Sequence, residues 1–263
     1  MPESQAAVAI VHARSPEESV LLMRRAEREE DSWSGHWSCP GGRYESCDTD
    51  LLATALRELE EECGIRLRPA DLETALPPRV ARRAAGPYLL VAPFVLHATS
   101  QQATVLDPRE AVESEWVALE VLRDPARHCL QPVPGRPSEM RFPAIALHKT
   151  PLWGFTYRLL TDWLGLVPQE QTVEQAGWVV ANAVLEFLLS HGMTLREGWR
   201  ERAGSDAVPT HEATLAGPLP AAAVLEHFCR PGLWFRSVNL LEVRQDSIRL
   251  VGAAFDEYVL RVK

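Results

Sequence analysis

The chain has 263 residues, of which 46% are hydrophobic and 24% charged, enough to bury a core without disulfide or metal staples. Those values exclude a disordered, collagen-like or low-complexity protein. A net charge of -9 argues against non-specific binding to a nucleic-acid backbone, although an anionic substrate remains accessible if a cation bridges the two.

Five cysteines, an odd number without a CxxC pair, read as reduced thiols of a cytoplasmic protein. Met1–Gln5 carries no basic residue and does not read as a signal peptide. The longest near-apolar run, Tyr88–Leu96, is far short of the ~20 residues needed to span a bilayer. No nucleic-acid or membrane partner is therefore expected.

In chain order, Val8–Val11 and Ser19–Met23 are β-prone, and 31–42 forms a glycine- and aromatic-rich loop around a short strand. Leu52, Ala55, Leu56 and Leu59 recur at helical spacing within Asp50–Cys63, and Gly64 stops the helix. Tyr88–His97 and Ser114–Leu119 read as strands, the second following a loop at Asp107–Ala111. The four prolines of Gln131–Pro143 predict mostly loop, and Phe155–Leu166 a helix. Pro168–Gln171 reads as a linker, which divides the chain into residues 1–167 and a small α+β domain of unknown role, 168–263. That second part shows a long amphipathic helix from Val173, a strand at Thr210–Leu215, a helix entered by Pro220, and strands at Val238–Val243, Ile248–Val251 and Tyr258–Val262. It carries no catalytic constellation, and dimerisation or a substrate lid is the expected role.

The chemistry concentrates in Pro40-Gly41-Gly42, followed after fourteen residues by Arg57-Glu58-Leu59-Glu60-Glu61-Glu62-Cys63-Gly64-Ile65. On a helix Glu58, Glu61 and Glu62 project together and repel one another. Arg57, four residues before Glu61, offsets part of that charge. A divalent cation would offset the rest, and oxygen-only ligands favour Mg²⁺ or Mn²⁺ over Zn²⁺.

This string resembles the Nudix box, G-x5-E-x7-R-E-U-x-E-E-x-G-U with U aliphatic. Arg57, Glu58, Leu59, Glu61, Glu62, Gly64 and Ile65 match its second half without a gap. In the first half the loop is one residue longer: Thr49 stands at the glutamate position and Arg43 at the glycine, so Asp48 or Asp50 supplies the acid. The longer loop, Leu21–Arg25 followed by Gly35 and Pro40-Gly41-Gly42, and Leu152–Tyr157 together resemble the coenzyme A diphosphatase branch of that superfamily, over residues 5–166. One difference is Trp33-Ser34-Gly35, where that branch has His-x-Gly.

The resemblance implies an α/β/α sandwich around a mixed sheet, and a hydrolase that cleaves a diphosphate in a nucleoside diphosphate derivative. Coenzyme A or acyl-coenzyme A is the implied substrate. Another derivative, such as a nucleotide sugar or dinucleotide, is the alternative, as is a nucleotide sensor that signals through the C-terminal domain. By the same resemblance Glu58, Glu61 and Glu62 bind Mg²⁺ (or Mn²⁺), Arg57 orients them, and Gly41 and Gly42 let the loop approach the metal. Glu58 is one candidate for the general base. Glu110 and Glu113 stand where other members carry a further metal ligand or the base, and Arg24, Arg25 and Arg43 are candidates for meeting phosphate. The expected assembly is a homodimer.

Overall fold

The computed structural model describes residues 5–28, 33–81, 89–166, 173–202 and 210–263. The expected linker Pro168–Gln171 and the first residue of the expected strand, Tyr88, lie outside these. The chain forms two compact units. One comprises Met1–Arg123 with Phe155–Leu164, and the other Asp124–Gly154 with Gly165–Lys263. The division therefore differs from a single boundary at residue 168, because Asp124–Gly154 groups with the later part of the chain. Among the described residues no helix is long and apolar enough to cross a membrane.

The first unit contains β1 (Ala6–Ala13), β2 (Ser19–Arg25), β3 (Trp37–Ser38), β4 (Gly41–Arg43), α1 (Leu51–Cys63), β5 (Leu72–Ala75), β6 (Arg79–Ala81), β7 (Leu89–Ala98), β8 (Ala111–Ala118), α2 (Leu119–Arg123) and α3 (Gly154–Trp163). The sheet order is β3-β2-β1-β7-β5, with β4 on β1, β6 on β7 and β8 on β2. The sheet is mixed: β1 runs parallel to β7 over its whole length and antiparallel to β2 and β4.

Side chains alternate along β1 between two covered faces. Ala7, Ala9, Val11 and Ala13 pack with Ala55, Leu59 and Cys63 of α1. Small alanines there bring the helix close to the sheet. On the opposite face Ala6, Leu89 and Val91 pack with Phe155 of α3, and Trp163 of α3 meets His12 edge-on at 5.5 Å. This is the expected α/β/α sandwich, with α1 and α3 as its outer layers.

The second unit is an α+β fold. It contains β9 (His128–Gln131), β10 (Met140–Leu147), β11 (Thr150–Trp153), α4 (Val173–Ser190), β12 (Thr194–Arg202), β13 (Thr210–Ala216), α5 (Ala221–Phe228), β14 (Val238–Val243), β15 (Ser247–Gly252) and β16 (Glu257–Val262). The order is β11-β10-β14-β15-β16-β13-β12, with β9 on β10. Val180, Val184 and Leu188 of α4 and Val224 and Phe228 of α5 pack on Leu215, Leu241, Ile248 and Leu260 of the sheet. Strand β10 begins within the proline-rich segment expected to be loop, with Pro143 opposite Leu130.

Candidate functional site

The site is built on α1 and the loop that precedes it. Asp50 caps the helix: its side chain accepts from the backbone N–H of Ala53 at 2.8 Å. Gly64 closes the helix in the left-handed conformation, φ 69°, with its N–H donating to the Glu60 carbonyl. Leu59 and Ala55 anchor the buried face, so Glu58, Glu61 and Glu62 are carried around the side of the helix that meets the Gly41-Gly42 loop.

Arg57 is the hub. Its Nε donates to Asp48 Oδ1 at 2.9 Å and its Nη2 to Asp48 Oδ2 at 3.0 Å, a bidentate pair. Its Nη1 donates to Glu58 Oε1 at 2.9 Å and to Glu61 Oε2 at 3.0 Å. Nη2 also donates to the Arg43 carbonyl at 3.1 Å. Asp48 is buried and accepts further from Thr54 Oγ1 at 2.8 Å and the Glu45 N–H at 3.0 Å. Hydrogen bonding from Arg57, above all, holds the Asp48 carboxyl well below the usual carboxylate range. The two acids left open by the sequence thus take different places: Asp48 braces Arg57, and Asp50 caps the helix.

Glu62 is buried, and its Oε2 accepts from the Gly41 N–H at 2.8 Å. Burial pushes its pKa up to about 8, against the lowering effect of that hydrogen bond; the charges of Glu58 and Glu110 push the same way, and Arg25 opposes them. Burial also raises Glu58, with Arg57 opposing. Gly41 and Gly42 have steric reasons to be glycine. A Cβ on Gly41 would strike the β1 backbone at Ala7 and Val8, and one on Gly42 would strike the Glu58 carboxylate.

The flanking candidates separate. Glu110, in the loop before β8, pairs with Arg28 Nη2 at 2.8 Å, and its charge is felt at Glu62. Glu113 pairs instead with Arg24 Nε at 2.9 Å, directly across β2 and β8. Leu21 and Met23 of β2 face α1. By alternation Arg24 faces the other way, and the pair is turned from the glutamates. Arg43 offers its carbonyl to Arg57 and leaves its side chain exposed. Of the two arginines at the end of β2, Arg25 is the one whose charge reaches Glu62.

Among the described residues no three His, Cys, Asp or Glu side chains already enclose a metal position. Here Glu58 and Glu61 turn to Arg57. The donor set nevertheless fits a hard divalent cation. It offers only carboxylate oxygens, and burial raises the pKa of two of the three carboxyls, Glu58 and Glu62, a penalty on their charge that a bound cation would offset.

A family model described as NUDIX domain matches residues 3–135, half of the chain. An uncharacterized protein of Schizosaccharomyces pombe is 38% identical over 104 residues, 38% of this chain and 32% of that protein. The uncharacterized Nudix hydrolase NudL of Cronobacter sakazakii is 38% identical over 76 residues, 29% of this chain and 39% of its own. The chain thus matches well under half the length of these curated relatives. Among solved structures, the NUDIX domain of Shewanella oneidensis NrtR complexed with ADP ribose aligns with a TM-score of 0.41 at 19% identity, covering 63% of this chain and 89% of that one. The Nudix hydrolase RenU of M. smegmatis aligns at 0.40 and 20% identity, covering 64% and 90%.

Proposed function

Because the chain belongs to the NUDIX family, we propose that it is a hydrolase that cleaves the diphosphate linkage of a nucleoside diphosphate derivative, with Mg²⁺ or Mn²⁺ held by Glu58, Glu61 and Glu62. The observation that carries this reading is the hub itself: one guanidinium, braced by buried Asp48, holds Glu58 and Glu61 beside Glu62. When bound, the cation would offset diphosphate charge and lower the pKa of an attacking water.

The protein's own residues do the rest. Asp48 keeps the Arg57 fork in one orientation, and Arg57 keeps Glu58 and Glu61 on the substrate side of α1. The Gly41 N–H fixes one oxygen of Glu62. Glu58, with its raised pKa, suits the acceptance of a proton from water. Glu110 is the other acid of this neighbourhood, as a further metal ligand or as the base, and Arg25 lies on the phosphate-facing side.

The substrate we favour is coenzyme A or acyl-coenzyme A, supported by Leu21–Arg25, the Pro40-Gly41-Gly42 loop and Leu152–Tyr157. Trp33-Ser34-Gly35 favours a second reading, another nucleotide derivative. The protein would act in the cytoplasm, with the second unit as a dimerisation element or substrate cover. The test is phosphate release from coenzyme A, ADP-ribose, NADH, diadenosine polyphosphates and nucleoside triphosphates, each with Mg²⁺, Mn²⁺ or chelator, for wild type beside Glu61→Gln. Metal-dependent turnover of one compound, lost in the variant, is expected. Thermal stabilisation by one of the compounds without any turnover would replace the hydrolase by a sensor.

A further inference from the structure

The main chain at Glu110 is tied down on both sides. Upstream, the loop passes the end of α1, where the Val105 N–H donates to the Cys63 carbonyl at 2.9 Å and the Asp107 N–H to the Glu62 carbonyl at 3.4 Å. The Glu110 N–H donates to the Asp107 carbonyl at 2.9 Å, and the Glu110 carbonyl accepts from the Ala26 N–H, just past β2, at 2.9 Å. The backbone of Glu110 is thus placed relative to Glu62, and what remains to be fixed is the side chain. Arg28 fixes it. Its Nη2 donates to Glu110 Oε1 at 2.8 Å and also to the Arg109 carbonyl. The Arg28 N–H in turn donates to Ser34 Oγ at 2.7 Å. With the carboxylate held there, its charge reaches Glu62. The Arg28 and Glu110 side chains are 46% and 37% exposed. An ion pair so exposed adds little to stability, so its effect is on where the carboxylate sits.

We propose, on the metal-dependent reading given above, that Arg28 is a positioning residue that sets the Glu110 carboxylate to act on the cation held by Glu58, Glu61 and Glu62. Two guanidiniums then divide the acids between them. Arg57 arranges two that stand on α1, and Arg28 arranges one that comes from outside it. A glutamate has several side-chain torsions, and holding them before the cation arrives removes an entropic cost from binding. Charge counting alone gives the opposite sign. Arg28 is a cation beside a cation site, and its removal as a bystander would leave metal binding unchanged or strengthen it.

The test reads metal affinity rather than turnover. Mn²⁺ binding to the full, metal-stripped chain is followed by calorimetry and by loss of the free-ion EPR signal. The proteins are wild type, Arg28→Ala, Arg28→Lys, Glu110→Gln and the Arg28→Ala, Glu110→Gln double variant. Arg28→Ala is expected to weaken Mn²⁺ about tenfold, the scale for losing a group that orients a ligand, although it removes a positive charge. Arg28→Lys keeps the charge and a donor and should restore most of that loss. Glu110→Gln should weaken Mn²⁺ as much, and adding Arg28→Ala to it should cost nothing more. Metal-free Tm and circular dichroism identify an Arg28→Ala that has lost its fold, in which case Arg28→Gln takes its place. Unchanged or tighter Mn²⁺ binding in folded Arg28→Ala, or an equal loss with and without Glu110, would overturn the positioning role and leave the metal reading standing. A wild type that takes up no Mn²⁺ would instead sink the metal reading, and the role of Arg28 with it.

Discussion

Arg57 grips Asp48 with two parallel hydrogen bonds, Nε to Oδ1 at 2.9 Å and Nη2 to Oδ2 at 3.0 Å, nine residues apart in the chain. Asp48→Asn would break the charge pair and leave Arg57 free to swing. The expected cost is about 2–3 kcal/mol of stability, because the acid is buried, with at least a tenfold fall in kcat. Asp50→Ala should cost about 1 kcal/mol, the worth of a helix cap, and leave turnover close to wild type. Denaturant titration and steady-state kinetics on the two variants check the separation of roles. Since the folded pKa of Asp48 is depressed, its stabilisation is present above the unfolded value of 3.8 and is lost as pH falls below it.

Glu62 behaves in the opposite sense. Its folded pKa of about 8 lies above the unfolded 4.5, so in metal-free protein its contribution is full below pH 4.5 and is lost as pH rises to 8. One pKa unit is worth about 1.4 kcal/mol, so the decline amounts to a few kcal/mol. Denaturant unfolding between pH 5 and 8 with chelator should show it on the wild type and not on Glu62→Gln. Mg²⁺ binding near pH 7 should also release a proton, seen in calorimetry as a heat that depends on the buffer's ionisation enthalpy.

Gly42→Ala places a methyl against the Glu58 carboxylate. The fold should survive, because the carboxylate is the end of a side chain that can move. Activity should fall by tenfold or more as Glu58 leaves its place. A variant with wild-type kcat/KM would remove the close approach from the catalytic argument.

The thiols should divide by burial. Cys47 is exposed, whereas Cys39 and Cys63 are buried and burial pushes both up to about 12. A thiol reagent at neutral pH should modify Cys47 within minutes and leave Cys39 and Cys63 unmodified until denaturant is added, as mass spectrometry of the peptides would show.

The helix that carries the site was legible because its local signals agreed: apolar residues three and four apart, and Gly64 as stop. The neighbouring choice between Asp48 and Asp50 was not, since it depends on the path of a loop. Strands β10 and β11 were hidden by Pro143 and Pro151, residues that ordinarily argue against a strand. Strand β12 was hidden by exposure: it lies at the edge of its sheet and almost all of its residues face solvent, so no alternation marks it. The pairing of Arg28 with Glu110 is wholly tertiary. Eighty-two positions separate them, and no local pattern brings them together.

The return of Phe155–Leu164 to the first unit, after Asp124–Gly154 has joined the second, gives synthesis on the ribosome a definite order. The first sheet and α1, the helix with the glutamates, can assemble early, but the face bearing His12 stays uncovered until α3 has emerged. By then β9, β10 and β11 are already outside, still without β14, which is far downstream. Each unit therefore waits on sequence that lies beyond the other's, and an amputation at any one peptide bond leaves at least one of them incomplete.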